Sequence, residues 1–386
     1  MKARMSNFSE EQVLFEDSLV KVIGKTSSPE KVAKLDSAKQ FDASLYDALG
    51  NLGVWGLGVD EDLGGSGGTN IEQLIALRAL GRMSTSTAVF CVVQFLITRL
   101  LKDNASPAQK IAYLKPLAGG EVKASFCLTE SGGGTDILRA MKTRARKVAG
   151  GYLLSGTKMW ISGATTSDFY VVLARTSEGK TEGVSMFLLN AKTPGITATE
   201  VETFAINGYD TCQVFFDDVM IPAENLLGVE GQGFRQVLAT LNSERINAAA
   251  VALGIAQGAI QYAAEYAKQR PAFNKTLSEL QAVQHKLADV ATSLEMTWSY
   301  LMETAASDDA GRPVDVASSM VKLASSDVAK RAADVGMEIM GGAGFDCGAP
   351  MQRYYRDHRL YVFAPLNDGM CRNLIAERYF GFKRAF

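Results

Sequence analysis

The sequence predicts an α+β protein in three parts: an N-terminal α-helical domain (1–121), a central antiparallel β-barrel or sandwich domain (122–230) and a C-terminal four-helix bundle (231–386). Two patterns predict this order. Amphipathic, capped segments occupy both ends of the chain, whereas short β-branched or alternating segments occupy its middle. The length points the same way, because 386 residues are too many for one small core and favour two or three packed units.

Helix signals follow one another in the N-terminal part. Ser9 and Gln12 have the pattern of a capping box, in which each side chain bonds the backbone N–H of the other residue. An apolar-periodic run follows directly. Further helices are expected over 44–52, from a cap at Asn70, over 85–101, and from Pro107 to a stop before Pro116.

Strand-like segments occupy the middle of the chain. They lie at 124–129, 141–148, 151–161, 169–175, 184–189, 197–204 and 212–219. Turn signals such as Gly150-Gly151 and Asn207-Gly208 separate them, and no helical pattern lies between them. Six or seven strands in direct succession predict a small antiparallel barrel or sandwich.

The helical period returns after residue 231. Long helices are expected over 233–268, 278–307 and 314–340, and a shorter one over 369–379. Pro271, Gly311 and Gly341-Gly342 mark the connections between them. Successive long helices of this kind predict a bundle.

Composition excludes several functions. A net charge of −2 gives no general attraction for nucleic acid or acidic membranes, and polar residues interrupt the most apolar window, 88–101. We therefore expect neither a nucleic-acid partner nor a membrane span. Two histidines nearly exclude His-based triads, and five scattered cysteines indicate no metal site and a reducing, cytoplasmic compartment. No basic segment followed by an apolar one opens the chain, as a secretory leader would require.

The stretch from Phe126 to Asp136 has the character of a ligand-binding loop. A short apolar run predicts a buried strand ending at Thr129, and Gly132–Gly134 follow. Glycine lets backbone N–H groups approach a ligand that a Cβ would hold away, and Thr129 and Thr135 add hydroxyl groups. A dinucleotide-binding βα unit is not indicated, because neither its helix nor its acidic second strand follows. A simple turn is the alternative.

Five ordered motifs resemble those of the acyl-CoA dehydrogenase family of flavoproteins, over nearly the whole chain. The motifs are Leu128-Thr129-Glu130 with Gly134-Thr135-Asp136, Lys158-Met159-Trp160-Ile161-Ser162, Arg270-Pro271-Ala272-Phe273 with Gln281, Gly341-Gly342-Ala343-Gly344-Phe345, and Tyr355-Arg356-Asp357. The resemblance implies the three-domain fold, FAD as cofactor and an acyl thioester as substrate.

The resemblance also implies which residues hold FAD. They are Phe126, Leu128, Thr129, Gly134, Thr135, Trp160, Ser162, Arg270, Phe273, Gln281, Glu338, Gly341 and Gly342. In this assignment Thr129 and Ser162 bond the polar edge of the flavin, Ser162 near N5. Trp160 packs against one ring face, with a core tryptophan of the β domain as the alternative.

The other end of the cofactor involves a subunit interface and one departure from the family pattern. The resemblance places Arg270 and Phe273 against the diphosphate and adenine, across that interface. Glu338 stands where the family often has a glutamine. Its carboxylate would repel the diphosphate unless a cation lies between them.

The catalytic base is a second departure. The family reaction removes a proton and a hydride from an acyl thioester, with a glutamate as base in many members. Counting from Arg356-Asp357 puts Pro365 at that place, which supplies neither a carboxylate nor the N–H that would help to hold the thioester carbonyl. The Leu366 N–H can replace that donor if the loop shifts. Otherwise the chemistry differs.

Other family members carry the base on the first long helix of the bundle, and that segment here contains Glu244. An apolar stripe supports the burial of Glu244 and a raised pKa. The stripe consists of Val237, Leu241, Ala248, Val251 and Ile255. The alternative is an ion pair between Glu244 and an arginine of the bundle or of another subunit.

Further residues are expected near the substrate. Thr135 would lie beside its pantetheine arm, and Arg245 adjoins the predicted base. Phe95, with Cys91 and Gln94, is expected to line the pocket because of its place on the helix before the β domain.

The leading interpretation is FAD-dependent α,β-dehydrogenation of an acyl group carried on CoA or on a carrier protein. An electron-transfer partner or oxygen would accept the electrons, and a homotetramer or homodimer is expected. Two alternatives stay open. One is a flavin-dependent oxidase or monooxygenase on the same fold, and the other is a non-catalytic subunit of a heteromeric acyl-CoA dehydrogenase.

Overall fold

The computed structural model describes residues 8–179 and 182–384. They form an N-terminal helical domain, a central β domain and a C-terminal helical domain, so the predicted fold class is confirmed. The N-terminal domain contains α1 (Glu10–Thr26), α2 (Pro29–Ser37), α3 (Ala43–Asn51), α4 (Asn70–Met83), α5 (Thr85–Asn104), α6 (Pro107–Gln109), a π-helical turn (Lys110–Leu114) and α7 (Lys115–Ala118).

Helix caps in this domain largely follow the prediction. The Ser9–Gln12 capping box is present at α1. At α4, however, the cap is Thr69 and not Asn70, because Thr69 and Glu72 form the reciprocal box. The Asn70 side chain donates instead to Asp308 at the end of a C-terminal helix, over 2.9 Å. The helical path also continues past Pro116, which lies in the first turn of α7, where a missing N–H costs nothing.

The β domain contains one eight-stranded sheet and a short helix in the described residues. Its strands are β1 (Ala124–Cys127), β2 (Arg144–Val148), β3 (Gly151–Ser162), β4 (Phe169–Arg175), β5 (Val184–Asn190), β6 (Ile196–Glu200), β7 (Thr211–Pro222) and β8 (Leu226–Leu227), and α8 is Ile137–Ala140. The strand order is β6-β7-β3-β2-β4-β5-β8, with β1 beside β4. The sheet is mixed and not wholly antiparallel, because β4 pairs parallel with β1 and β2.

The C-terminal domain is built around one 37-residue helix, α9 (Gly233–Gln269). The hairpin strands β9 (Pro271–Ala272) and β10 (Lys275–Thr276) follow, then α10 (Gln281–Asp309), α11 (Asp315–Met340), α12 (Gly342–Phe345), α13 (Pro350–Asp357), α14 (Leu360–Phe363) and α15 (Asp368–Tyr379). The predicted bounds of the long helices are thus reproduced within a few residues.

Small residues bring the two helical domains together. Helices α4 and α9 pack so closely that a Cβ on Gly81 would lie 2.5 Å from the Val251 carbonyl oxygen, and one on Gly254 would lie 2.4 Å from that of Arg78. Either substitution would therefore force the helices apart. This contact makes α9 a shared wall of both helical domains.

Helix α5 belongs to the interior of the molecule. It is the one helix of the described residues that is long and apolar enough to cross a membrane, but 78% of its apolar window is buried inside the protein. A helix in the core of a protein can have the same length and apolar composition. The length and composition of α5 are therefore only weak evidence for a membrane span.

Candidate functional site

A buried ion pair fixes the base of the glycine loop. Lys158 on β3 is fully buried, and its Nζ lies 2.9 Å from the Glu130 carboxylate and donates to the Leu128 carbonyl over 2.9 Å. The backbone N–H groups of Lys142 and Thr143 donate to the same carboxylate, at 2.7 and 3.0 Å. Burial opposes ionisation, but the ammonium and these donors prevail and hold the pKa of Glu130 below its usual value. Glu130 is therefore a structural anchor.

Trp160 lies on the surface of the β domain in a strained conformation. Its side chain is 55% exposed and its φ is 63°, a region that non-glycine residues occupy at a cost of order 1–3 kcal/mol. A bulge in β3 between Lys158 and Ile161, opposite Val214 and Cys212 of β7, produces this geometry. The core-tryptophan alternative is wrong for this chain, because the ring is turned out of the sheet interior.

The ends of β1 and β3 are joined at this bulge. The Met159 N–H donates to the Thr129 carbonyl over 2.9 Å, and the Ser125 hydroxyl donates to the Ser162 carbonyl over 2.7 Å. Thr129 and Ser162 are partly exposed in this joined region, which also carries Trp160, and Phe126 is partly buried on β1. Three of the predicted cofactor contacts thus occupy one edge of the β domain.

The glycine loop meets the C-terminal domain through Thr135. Gly134 and Thr135 are exposed, and the Asn367 amide donates to the Thr135 hydroxyl over 3.0 Å. Asn367 also caps α15, since its side chain accepts from the Met370 N–H. The first motif and the segment around Pro365 are therefore neighbours, although 230 residues separate them in the chain.

Glu244 lies on α9, and burial raises its pKa to about 7, an effect that the adjacent Arg245 only partly opposes. The residue keeps some accessible surface, as a group in a narrow crevice does. Val237, Ala248, Val251 and Ile255 of the predicted stripe are fully or almost fully buried. No cation of the described residues forms a salt bridge with Glu244, so the predicted pair with an arginine of its own bundle is absent there.

The segment after α14 has no carboxylate at the place where many family members carry the catalytic glutamate, but it retains a backbone N–H donor. Pro365 has no N–H, and the Ala364 N–H is used by the Leu360 carbonyl. Within the described chain the Leu366 N–H has no protein acceptor. Helix α14 packs against α9, which carries Glu244. A free backbone donor thus follows a helix that contacts α9, and a carboxylate with a raised pKa lies on α9.

Arg245 points into the bundle. It is 7% exposed, and its Nη1 donates to Asn242 at 2.7 Å and to Ser318 on α11 at 3.4 Å. Phe95 is likewise buried in the core, and the Gln94 amide is occupied by the Ala124 backbone, which it bonds at 3.0 and 3.1 Å. The substrate-binding roles of Arg245 and Phe95 remain predictions. The structure supports a role in holding the surrounding elements.

The third motif, Arg270-Pro271-Ala272-Phe273, forms a projecting hairpin. Phe273 and Asn274 both have positive φ at the turn between β9 and β10, and the Phe273 ring is 89% exposed. Arg270 and Gln281 flank the hairpin and are also exposed. No hydrogen bond joins this hairpin to the β domain in the described residues. The structure therefore does not bring these residues to Thr129 and Trp160 within one chain.

The Glu338 carboxylate is paired with a cation, which a diphosphate bound beside it would require. It forms an ion pair with Lys286 of α10, at the exposed end of α11. Gly341 ends α11 at φ 55°, and a groove of about 500 Å³ is lined by Met337, Gly341, Gly342, Phe345 and Asp346. Because Lys286 offsets the carboxylate, the objection to a diphosphate here is weakened.

Sequence reasoning named the Leu366 N–H as a replacement donor, but it did not identify Lys286 or Asn367. Lys286 is 52 residues from Glu338, and Asn367 is 232 residues from Thr135. A charge at Glu338 without a local partner was the one signal that could have prompted a search for a lysine. The contact between Asn367 and Thr135 depends on tertiary packing alone.

These residues fit a flavin. Trp160 offers an exposed aromatic face in a strained, fixed conformation, and Thr129 and Ser162 beside it supply hydroxyl groups for a polar ring edge. The exposed Phe273 and the Gly341-Gly342 groove are suited to the distant half of a dinucleotide. Fold and site together define a flavoprotein.

Comparison with known proteins identifies the family. Models of the N-terminal, middle and C-terminal domains of acyl-CoA dehydrogenases match residues 9–121, 125–219 and 231–380. The chain belongs to the acyl-CoA dehydrogenase family, as the motifs predicted, and its cofactor is FAD.

Individual relatives agree with this assignment over nearly the full length. A short/branched-chain-specific acyl-CoA dehydrogenase of Bos taurus is 32% identical over 378 residues, which span 97% of this chain and 87% of that protein. A short-chain-specific acyl-CoA dehydrogenase of Rattus norvegicus is 36% identical over 332 residues, or 85% of this chain and 80% of that protein. The structure of butyryl-CoA dehydrogenase from Megasphaera elsdenii matches with a TM-score of 0.94 and 31% identity, covering 97% of this chain and 99% of that chain.

Proposed function

We propose that this chain catalyses the FAD-dependent α,β-dehydrogenation of a short or branched acyl-CoA, with Glu244 as the general base. The observation that carries the proposal is the carboxylate of Glu244, whose pKa burial raises to about 7 on an otherwise apolar stripe of α9. A base with a pKa near the working pH combines availability with proton-accepting strength. The acyl class is supported by the short-chain and branched-chain relatives.

In this proposal each protein group has a defined task. Glu244, once ionised, takes the proton from the carbon next to the thioester carbonyl. The free Leu366 N–H polarises that carbonyl, in place of the donor that Pro365 lacks. Bound FAD supplies the acceptor for the hydride from the neighbouring carbon. Trp160, Thr129 and Ser162 hold the flavin, and the Lys158–Glu130 pair keeps their two strands in register.

The assembly and partners belong to the same proposal. The exposed rings of Phe273 and Phe345 support a homodimer or homotetramer in which a second copy covers them. An electron-transfer protein would then reoxidise the flavin, and the scattered free cysteines support a cytoplasmic location. A carrier-protein thioester remains the alternative form of the substrate.

One anaerobic experiment tests the activity. The purified yellow protein is mixed with butyryl-CoA, isobutyryl-CoA or 2-methylbutyryl-CoA, and with the same acyl groups on a carrier protein, while flavin absorbance is followed. We expect bleaching by at least one CoA thioester and a product that has lost two hydrogens. Bleaching by the carrier-bound forms alone would move the substrate class to carrier proteins.

Pro365 favours the oxygen-dependent alternative, because it removes the usual acid. A flavin that no thioester bleaches, but that a reductase reduces and oxygen rapidly reoxidises, would replace the dehydrogenase proposal with an oxidase or monooxygenase. A colourless protein that stays inactive with added FAD would indicate a non-catalytic subunit.

A further inference from the structure

A second cavity lies where the three domains meet. It has a volume of about 230 Å³ and receives residues from the α1–α2 region, the α4–α5 junction, the β domain and α13. At roughly 30 Å³ per water molecule, this space exceeds one water several-fold. None of the residues assigned to FAD or to the acyl thioester lines it, so the cavity is separate from the proposed active site.

Arg353 on α13 lines this cavity with an unsatisfied charge. The side chain is 8% exposed, and its Nη1 has no hydrogen-bond partner. No salt bridge or hydrogen bond of its guanidinium occurs in the described parts of the chain. Arginine cannot lose its proton at ordinary pH, so it cannot escape the cost of burial by becoming neutral. A buried, unpaired guanidinium implies a partner that protein atoms do not supply.

The carboxylates around the cavity are engaged by other groups, and none of them forms a salt bridge or hydrogen bond with Arg353 in the described residues. Asp42 accepts from Lys31 over 2.7 Å and also from the Ser27 hydroxyl. Asp357 accepts the Ile206 N–H over 3.0 Å. Asp36 and Asp357 are both paired with Arg356, which lies beside Arg353 on α13 but outside this cavity.

A second arginine with spare hydrogen-bond donors lines the cavity. Arg82 also lines it, and the hydrogen bond found for its guanidinium in the described residues is a long contact with the Met83 sulfur at 3.7 Å. Val32, Leu35 and Pro350 supply apolar walls. Two guanidinium groups with spare donors in a small, partly apolar space match the chemistry of a small oxyanion.

We propose that this cavity binds a small oxyanion, either inorganic phosphate or a short-chain carboxylate, through Arg353 and Arg82. The anion completes the hydrogen bonding of Arg353 and links α13 of the C-terminal domain to α4 of the N-terminal domain. It would therefore stabilise the folded assembly and not take part in the reaction. Phosphate and a carboxylate share the feature that the site would recognise, a compact group of two or more oxygens with negative charge, facing Arg353 and Arg82.

Calorimetric titration and thermal unfolding of the FAD-loaded protein test the site. Phosphate, acetate and butyrate are added at constant ionic strength, with chloride as the control anion. We expect one binding event per chain and a melting temperature that rises with the logarithm of anion concentration once the site is saturated. Phosphate alone would identify a phosphate site, and a stronger response to butyrate than to acetate would identify a carboxylate that uses the apolar wall.

Variants separate this proposal from general salt effects. Arg353→Met should lower the affinity about tenfold or more, since it removes charge-assisted hydrogen bonds. In chloride buffer it should melt no lower than the parent protein, because it removes an uncompensated buried charge. The exposed Arg331→Met on α11 should leave binding unchanged.

Three results would overturn the proposal. The first is an equal response to chloride, and the second is the same response in Arg353→Met as in the parent protein. The third is the absence of anion binding by the parent protein; a large loss of stability of Arg353→Met in chloride buffer would then show that another protein group already pairs with Arg353. If Arg353→Met does not fold, Arg82→Met serves in its place, with weaker but measurable loss of affinity expected.

Discussion

Replacing Glu244 by glutamine separates its charge from its shape. The change keeps the size of the side chain but removes the ability to ionise and to accept a proton. Burial holds the pKa of Glu244 at about 7, against 4.5 in its absence. At about 1.4 kcal/mol per pKa unit, ionised Glu244 lowers the free energy of unfolding by about 3 kcal/mol.

The sign of the effect on stability follows from proton binding. Between pH 4.5 and about 7 the folded protein holds more protons on Glu244 than the unfolded chain does, so this residue makes stability fall as the pH rises through that window. Glu244→Gln should therefore match the parent protein at about pH 4.5 and exceed it by up to about 3 kcal/mol above pH 8. Urea unfolding at equal protein concentration measures both values.

The effect on catalysis should run in the opposite direction. Removing a general base costs about 10²- to 10⁴-fold in turnover. In the parent protein kcat/KM should rise with pH through about 7, as Glu244 loses its proton. Both are measured by anaerobic flavin reduction with the acyl-CoA that bleaches best, while the bound FAD is quantified from its absorbance.

Glu303→Gln is the matched control, because Glu303 is exposed on α10. It should change neither turnover nor the dependence of stability on pH. The reasoning is refuted if Glu244→Gln keeps the turnover of the parent protein, or if its extra stability at high pH does not appear.

Three further predictions concern the cofactor site. Lys158→Met leaves Glu130 buried without its cation and should lower the free energy of unfolding in urea by about 3–5 kcal/mol. The Lys158→Met/Glu130→Gln double variant should recover most of this loss. A loss below about 1 kcal/mol would contradict the buried-pair interpretation. Trp160→Ala removes an exposed ring and should change the free energy of unfolding by less than about 1 kcal/mol. It should nevertheless weaken FAD binding, which a fluorescence titration measures. An unchanged FAD affinity would argue against contact between Trp160 and the flavin. Lys286→Met leaves the charge of Glu338 unpaired and should weaken FAD binding with little loss of stability. The Lys286→Met/Glu338→Gln double variant should restore FAD binding. Equal FAD affinities of the parent protein, the single variant and the double variant would place the diphosphate elsewhere.

Local sequence signals were sufficient for most of the secondary structure. The long helices α9, α10 and α11 end at glycine, proline or acidic pairs that act within a few residues, so their bounds could be predicted. Thr69 was missed as a cap because Asn70 is also a good capping residue by type, although Thr69 and Glu72 have the local spacing of a capping box. The packing of α4 against the end of α10 gives the Asn70 amide a different partner, Asp308.

The mixed character of the sheet was not predictable in the same way. An alternating segment shows that a strand is half-buried, but it does not show which strand pairs with it. β1 arrives from the helical domain and not through a hairpin, and it pairs parallel with β4, which is 45 residues further on. Pairing across that distance depends on how the domains pack.

The sequence by itself determined the family, FAD as the cofactor and the candidacy of Glu244, because motif residues and the apolar stripe on α9 are local patterns. Tertiary structure decided what those residues experience. It left Glu244 without a cation in the described residues and raised its pKa to about 7, turned Trp160 outward at a bulge, and gave Glu338 a lysine from another helix. The physical reason is that desolvation and charge pairing depend on distances between elements that are far apart in the chain.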